Sequence, residues 1–189
     1  MVHKGKQKWK QSTLRMKDNH TWNATPGHKI IVLDKGALRF NYPEKWVVVP
    51  EEHSINLYDK QPPKDDCRLA VSYLRLPTLD WSELPLSQLI DVASAGTDDR
   101  PTQSRGELVT EPRSDVELAW VQVTFDDPVE HRDAYTRIAI ARGFNLQALV
   151  TLDFWPEDAP RLESVWKEVM RSIELGRYVV DPTVGDVLQ

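Results

Sequence analysis

The sequence has almost no cysteine, which excludes two kinds of cross-link. Cys67 is the single cysteine in 189 residues, so an internal disulfide is impossible. A metal cluster held by several cysteine thiolates is excluded for the same reason. Cys67 lies within an apolar strand pattern, and we therefore expect a buried structural thiol rather than a nucleophile.

Long hydrophobic runs are also missing. No apolar stretch approaches the roughly 18 residues that a membrane-spanning helix needs. The N-terminal stretch MVHKGKQKWKQ is basic, but no apolar segment follows it, so it lacks the pattern of a secretory signal. These features predict a cytoplasmic protein without a transmembrane segment.

Common catalytic motifs are absent as well. The eight glycines are scattered singly, so no glycine-rich phosphate loop is formed. No serine lies in a Gly-x-Ser-x-Gly elbow, the turn that exposes the nucleophile of many hydrolases. The sequence therefore predicts a protein that is not an enzyme and that has no cofactor.

One acidic stretch supports an alternative. Residues 126–133 bring together four carboxylates and His131, between two strand patterns. Hard cations need several convergent oxygen ligands, but these residues match no recognised metal-loop spacing. An acidic hairpin tip is the simpler interpretation, with a small metal-dependent or hydrolytic enzyme centred on His131 as the alternative.

Charge is distributed unevenly along the chain. The net charge is −5, yet residues 1–20 contain six lysines and arginines against Asp18 alone. Residues 1–27 therefore predict a basic N-terminal arm, flexible or weakly helical, which ends at the turn Pro26-Gly27. Its basic residues, with one tryptophan for stacking, predict a contact with a partner or weakly with nucleic acid or an anionic membrane. They are Lys4, Lys6, Lys8, Trp9, Lys10, Arg15 and Lys17.

From His28 onward the pattern is typical of short strands. Alternating or β-branched runs predict strands over 29–33, 37–40, 46–49, 54–58, 67–76, 106–111, 117–125, 134–142 and 144–155. Between residues 117 and 125, Leu118 and Trp120 alternate with Ala119, Val121 and Val123, so both faces of that strand are apolar. We expect the last two strands to form a hairpin that turns at Arg142-Gly143.

Two segments have the apolar spacing of helices. The first begins near Leu86 and ends at Gly96. The second begins after Asp158, a natural N-cap, and has an apolar stripe that includes Leu162, Trp166 and Ile173. Helices must cover a sheet face, so we predict one α+β domain over residues 28–178, an α/β/α sandwich around a largely antiparallel, twisted sheet, with a C-terminal tail over 179–189.

The stretch LRFNYPEKW, residues 38–46, resembles the F-x-Y-P-x-x-W opening of the PsbP-like and DcrB-like families. In those families a strand ends at the proline and the tryptophan starts the next one. The end of the chain is similar too, with a long apolar strand, an acidic-proline turn and a helix that contains Trp166. Those families share a fold with the Ran-binding nuclear import factor.

The resemblance implies an α/β/α sandwich and a non-catalytic role in binding other proteins. Relatives of this kind include a photosystem II extrinsic subunit, a GTPase regulator and chaperone-adaptors of secretion effectors. A protein-binding or adaptor module is therefore the expected function, with a photosystem-associated subunit as a further alternative.

Proline terminates strands, so Pro43 with Phe40 and Trp46 predicts a structural corner rather than a binding site.

Overall fold

The computed structural model describes residues 11–97 and 100–186, which form twelve strands and two α-helices. The strands are β1 (His28–Leu33), β2 (Leu38–Pro43), β3 (Val47–Pro50), β4 (Ile55–Tyr58), β5 (Cys67–Arg75), β6 (Gly96–Thr97), β7 (Arg100–Arg105), β8 (Val109–Glu111), β9 (Glu117–Asp126), β10 (Asp133–Gly143), β11 (Leu146–Phe154) and β12 (Glu174–Leu175). The helices are α1 (Leu86–Ala93) and α2 (Ala159–Ser172).

Nine strands form one large sheet in the order β3-β4-β5-β11-β10-β9-β7-β6, with β8 also paired to β9. Each of these pairings is antiparallel. The longest strands, β10 and β9, lie near its centre and carry apolar residues on both faces. Such strands need cover on both sides, which the helices supply.

The larger core lies on the face covered by α2. The stripe Leu162, Trp166, Val169 and Met170 packs there against buried residues of β5 and β11. A second, three-stranded sheet in the order β1-β2-β12 packs against the same core through Leu38 and Phe40 of β2 and Leu175 of β12. The expected helix-on-sheet packing of the C-terminal helix is confirmed.

Helix α1 lies on the opposite face. Leu86 and Ile90 pack on alternate residues of β9 and β10, including Val121 and Ile138. The predicted α/β/α sandwich with an antiparallel central sheet is therefore confirmed. Within the chain that the structure describes, neither helix is long and apolar enough to span a membrane.

The hairpin between β10 and β11 turns two residues later than predicted. Gly143 still pairs with Leu146, and the turn consists of Phe144 and Asn145, with φ values of +52° and +56°. A two-residue turn with both φ values positive matches the twist of the flanking strands, and asparagine adopts that conformation readily. Phe144 is 57% exposed rather than buried in the strand, and its side chain lies against Gly176.

Three element boundaries also differ from the sequence predictions. Helix α1 ends at Ala93, and Gly96 belongs to β6. The polar segment before Gly106, for which the sequence predicts no strand, includes β7, whose backbone pairs with β9. The Asp158 carboxylate accepts a hydrogen bond from Arg161 Nε at 2.7 Å instead of capping α2. Each difference comes from a contact that periodicity alone does not show.

The arm prediction needs a correction within its described part, residues 11–27, which contains no helix. Trp22 is buried and donates a hydrogen bond from Nε1 to the Pro182 carbonyl at 2.9 Å. The Arg39 guanidinium carbon lies 4.8 Å from the Trp22 ring centroid, and Gly185 approaches the ring from the C-terminal segment. The segment around Trp22 is therefore packed on the body of the protein.

Candidate functional site

Of the predicted partner-binding residues of the arm, the structure describes only Arg15 and Lys17. Lys4, Lys6, Lys8, Trp9 and Lys10 lie outside the described residues. Arg15 is exposed to solvent. The Lys17 ammonium pairs with Asp181 at 2.8 Å, and this hydrogen bond, with that from Thr183, lowers the pKa of Asp181 to about 2. The charge of Lys17 is thus engaged within the chain, and partner binding by the arm stays a prediction.

The acidic stretch around His131 forms the loop between β9 and β10. Asp127 Oδ1 accepts hydrogen bonds from the backbone N–H groups of Val129 and Glu130, both at 2.9 Å, so this carboxylate shapes the turn. His131 has a φ of +51° and is exposed. Across residues 11–97 and 100–186, no three His, Cys, Asp or Glu side chains are placed together to hold a metal ion.

Cys67 starts β5 and is buried in the larger core. Burial raises the pKa of the thiol to about 12, which leaves it protonated at neutral pH. A protonated, buried thiol is a poor nucleophile. The geometry therefore assigns Cys67 a packing role.

The aromatic stretch at residues 40–46 forms a corner between the two sheets. Strand β2 ends at Pro43 in the small sheet, and β3 begins at Val47 in the large one. The Trp46 N–H donates to the Pro43 carbonyl at 3.0 Å and closes the turn. Phe40 is buried and Trp46 packs on the rim of the larger core, so these side chains serve the fold.

A pocket of about 520 Å³ lies between α2 and the β8–β9 edge of the sheet. Trp120 of β9 and Trp166 of α2 meet in its wall with an edge-to-face contact, 5.6 Å between ring centroids. Residues of α2 at helical spacing complete one side, and β8 with the loop after it supplies the other. This tryptophan pocket is lined by Glu111, Arg113, Trp120, Glu163, Trp166, Lys167, Met170 and Arg171.

Arg137 of β10 lies behind the wall of the tryptophan pocket and is only 7% exposed. Its guanidinium carbon is 5.5 Å from the ring centroid of Trp120 and 5.8 Å from that of Trp166. Nη2 pairs with Glu163 at 2.7 Å and Nε donates to Gln122 Oε1 at 3.0 Å. Arg137 Nη1 and Trp166 Nε1 are buried and have no hydrogen-bond acceptor among the residues described. A buried donor without an acceptor is costly, so this is an unusual place in the core.

Sequence reasoning did not find the tryptophan pocket. Periodicity places Trp120 on an apolar strand face and Trp166 in the apolar stripe of a helix, and Arg137 falls within the predicted strand 134–142. A usable signal was present, because an arginine in the middle of an otherwise apolar central strand must be paired when it is buried. The partner itself, Glu163, comes from α2 and is brought to Arg137 only by the fold.

The second surface of interest is the sheet face beside α1. Because α1 packs over β9 and β10, it does not cover β11, β5 and β3. Cross-strand partners share a face, which places Leu149 with Ser72, and Thr151 with Ala70. We call this surface the open face; its uncharged residues are Val47, Val49, Ala70, Ser72, Leu74, Leu149 and Thr151, and the Arg68–Asp153 ion pair continues the same face at one end.

Two leucines of the open face are strongly exposed, Leu74 at 50% and Leu149 at 37%. A cavity of about 310 Å³ runs between this face and α1, and no charged residue lines it. Val92 of α1, at its edge, is 79% exposed. Exposed apolar side chains that lie together on one sheet surface make it a candidate for contact with another chain.

Comparison with known proteins places the chain in a family. The family model Alr1449 matches residues 29–179, most of the chain. The protein belongs to the Alr1449 family. The uncharacterized protein alr1449 of Nostoc sp. (strain PCC 7120 / SAG 25.82 / UTEX 2576) is 40% identical over 178 residues, which cover 94% of this chain and 92% of that protein.

Two solved structures resemble this Alr1449 family member in fold. Cyanobacterial PsbP (CyanoP) from Synechocystis sp. PCC 6803 has a TM-score of 0.59 at 12% identity, over 80% of this chain and 94% of that one. LpqN of Mycobacterium tuberculosis, involved in cell envelope biogenesis, has a TM-score of 0.52 at 8% identity, over 78% and 89%. The PsbP-like fold implied by LRFNYPEKW is confirmed.

Proposed function

We propose that this chain is a non-catalytic adaptor that binds another protein, whose amphipathic helix packs on the open face. The observation that carries this proposal is the groove without charged residues between the open face and α1, with Leu74 and Leu149 exposed on that face. Exposed leucines on a sheet surface gain free energy when a partner removes them from water, about 1.5–3 kcal/mol for each side chain that is fully buried.

A helix is the occupant that suits this surface. Helix α1 already covers the neighbouring strands β9 and β10, and a second helix beside it would complete the same layer. The groove between α1 and β11 would receive the apolar stripe of that helix, with Val92 on one side and Leu149 on the other. Because the groove lining carries no charge, the contacting stripe of the partner is expected to be apolar.

The test places a photo-crosslinking residue at position 149 and identifies the crosslinked protein from the host by mass spectrometry. The purified partner is then titrated calorimetrically against wild type and the double variant Leu74→Lys, Leu149→Lys. Both leucines are exposed, so the variant should fold normally. Its affinity should fall at least about 10-fold, since each substitution puts a charge into an apolar contact.

The matched control is Val129→Lys, which introduces the same charge at a valine that is 79% exposed on the loop between β9 and β10. That variant should bind the partner as wild type does. A partner that binds the double variant with unchanged affinity would show that the open face is not the docking surface.

The proposal that the protein is not an enzyme draws on three of its carboxylates. The carboxyl groups of Glu168, Asp115 and Asp181 have lowered pKa values because each bonds to a cation of the same chain. Groups paired in this way stabilise structure and are not poised to exchange protons near pH 7. A reaction centred on His131 is the competing hypothesis.

A photosystem-associated role is the other candidate from the sequence, and it stays a prediction. It rests on the fold shared with cyanobacterial PsbP, and at 12% identity the two proteins share no more than that. Co-purification of the protein with photosystem II from a cyanobacterial host would favour that role. The cytoplasmic location also stays a prediction, and cell fractionation tests it.

A further inference from the structure

The guanidinium of Arg137 is paired less completely than buried arginines usually are. A carboxylate frequently engages a guanidinium with two parallel hydrogen bonds. Here Glu163 pairs with Nη2 at 2.7 Å, and Nη1 has no acceptor in the described part of the chain. The indole Nε1–H of Trp166, next to the same guanidinium, also has none. Two buried donors thus lie close to each other without an acceptor in the described part of the chain.

The Glu163 carboxylate can dissociate from the Arg137 guanidinium. Its side chain is 42% exposed in the wall of the tryptophan pocket, whereas that of Arg137 is 9% exposed. The Lys167 ammonium lies 3.2 Å from the other carboxylate oxygen and would keep Glu163 paired after it left Arg137. Burial acts to raise the pKa of Glu163, but the bonds from Arg137 and Lys167 lower it overall, so Glu163 is an anion at neutral pH. The Glu163 carboxylate is therefore one that the carboxylate of a ligand can replace on Arg137.

We propose that the tryptophan pocket binds a small aromatic carboxylate, which replaces the Glu163 carboxylate on Arg137 and bonds to both Nη1 and Nη2. The aromatic body lies in the cavity of about 520 Å³ against Trp120, Trp166 and Met170. Trp166 Nε1 supplies a further donor to the bound anion. The site is on the α2 face of the sheet, opposite the open face, so it does not rest on the proposed protein-binding function.

The experiment titrates 2-naphthoate into the full-length protein by calorimetry, with neutral 2-naphthamide as the matched probe. Glu163→Gln removes the competing anion, and we expect 2-naphthoate to bind this variant at least about 10-fold more tightly than it binds wild type. Arg137→Met should weaken binding about 10- to 100-fold, the range for losing hydrogen bonds to a charged group. Trp166→Phe keeps a planar aromatic ring and removes the donor, and a loss of about 3- to 10-fold is expected.

The matched control is Arg100→Met, because Arg100 also pairs with a carboxylate, Asp153 at 3.2 Å, and stacks 3.4 Å from the centroid of Phe125. It should bind 2-naphthoate as wild type does. Equal affinities of wild type and Glu163→Gln would overturn the exchange, and equal affinities for 2-naphthoate and 2-naphthamide would overturn anion recognition.

If Glu163→Gln does not fold, NMR on the wild-type protein still tests the proposal. In ¹⁵N NMR spectra of the wild-type protein, 2-naphthoate should shift the indole signal of Trp166, assigned from Trp166→Phe, and the Nε signal of Arg137. Addition of 2-naphthamide should leave both signals in place. The proposal is wrong if neither signal moves at millimolar 2-naphthoate.

Discussion

At the scale of single residues, Glu168 connects three parts of the molecule. Its Oε1 accepts hydrogen bonds from Thr25 at 2.8 Å, from Asn41 at 2.7 Å and from Arg171 at 2.6 Å. These bonds, that from Arg171 foremost, lower the pKa of Glu168 to about 2 although partial burial opposes the shift. The Glu168 side chain is 11% exposed and that of Arg171 is 61% exposed, so water screens this ion pair in part.

Glu168→Gln should therefore lower the free energy of unfolding by about 2 kcal/mol at pH 7. A folded pKa below the unfolded value, about 4.3, means that the carboxylate contributes fully above pH 5. This contribution disappears as the pH falls towards 2. The difference between wild type and variant in urea unfolding should shrink over that window.

The control for this prediction is Glu130→Gln, at an exposed position of the loop between β9 and β10. It should change the free energy of unfolding by no more than a few tenths of a kcal/mol. A Glu168→Gln deficit that stays constant from pH 7 to pH 2 would mean that the charge of Glu168 is not what stabilises the fold.

At the scale of elements, the turn between β1 and β2 depends on a glycine. Gly36 has a φ of +108°, and a Cβ at this position would lie 2.1 Å from the Arg177 carbonyl oxygen. Val179 N–H donates to the Lys35 carbonyl at 2.8 Å, and Gly176 N–H to the Ala37 carbonyl at 3.0 Å. The turn is thus held backbone against backbone by the segment after β12, and neither side has a flexible side chain that can yield.

Gly36→Ala should destabilise the protein by roughly 3 kcal/mol or more, because a clash with backbone adds to an unfavourable φ. Gly27→Ala is the matched control, since Gly27 has a φ of +78° and open space around the added carbon. Conformational strain alone should cost about 1 kcal/mol there. Thermal unfolding of both variants measures the difference, and equal losses would contradict the close approach at Gly36.

At the scale of the whole molecule, the arm joins the body between Lys17, whose backbone N–H donates to the Thr183 carbonyl at 3.0 Å, and Trp22. Residues 11–20 are exposed, whereas Trp22 is buried against Arg39 and the C-terminal segment. Deleting residues 1–20 should leave the melting temperature nearly unchanged. It should also remove any weak affinity for nucleic acid or anionic vesicles, measured at salt well below 0.15 M, where screening is weaker.

Trp22→Ala in the full-length chain should cost about 3 kcal/mol, the low end for truncating a buried tryptophan. For a domain of this size that is roughly 6–12 °C in melting temperature. A protein that tolerates Trp22→Ala but fails to fold without residues 1–20 would reverse the assignment and make the arm a structural element.

The sequence by itself determined most of the strands, the two helices and the side of the sheet that the residues of the long strands face. In β9, Leu118 and Trp120 face α2 while Ala119 and Val121 face α1, as their alternation predicts. Alternation is a local property of an extended chain, so no knowledge of distant residues is needed. The long apolar stripe of α2 and the strand end at Pro43 are local in the same sense.

Only the tertiary structure decided where the candidate sites lie. The tryptophan pocket joins Glu111, Trp120 and Glu163 from three elements, and the open face exists because α1 covers only part of one side of the sheet. Trp22 falls within the predicted arm, and the sequence does not reveal its burial, because the residues that cover it, Arg39 and Gly185, are distant in sequence. Such contacts depend on how the layers stack, and a periodic pattern specifies which residues face inward but not which residues they meet.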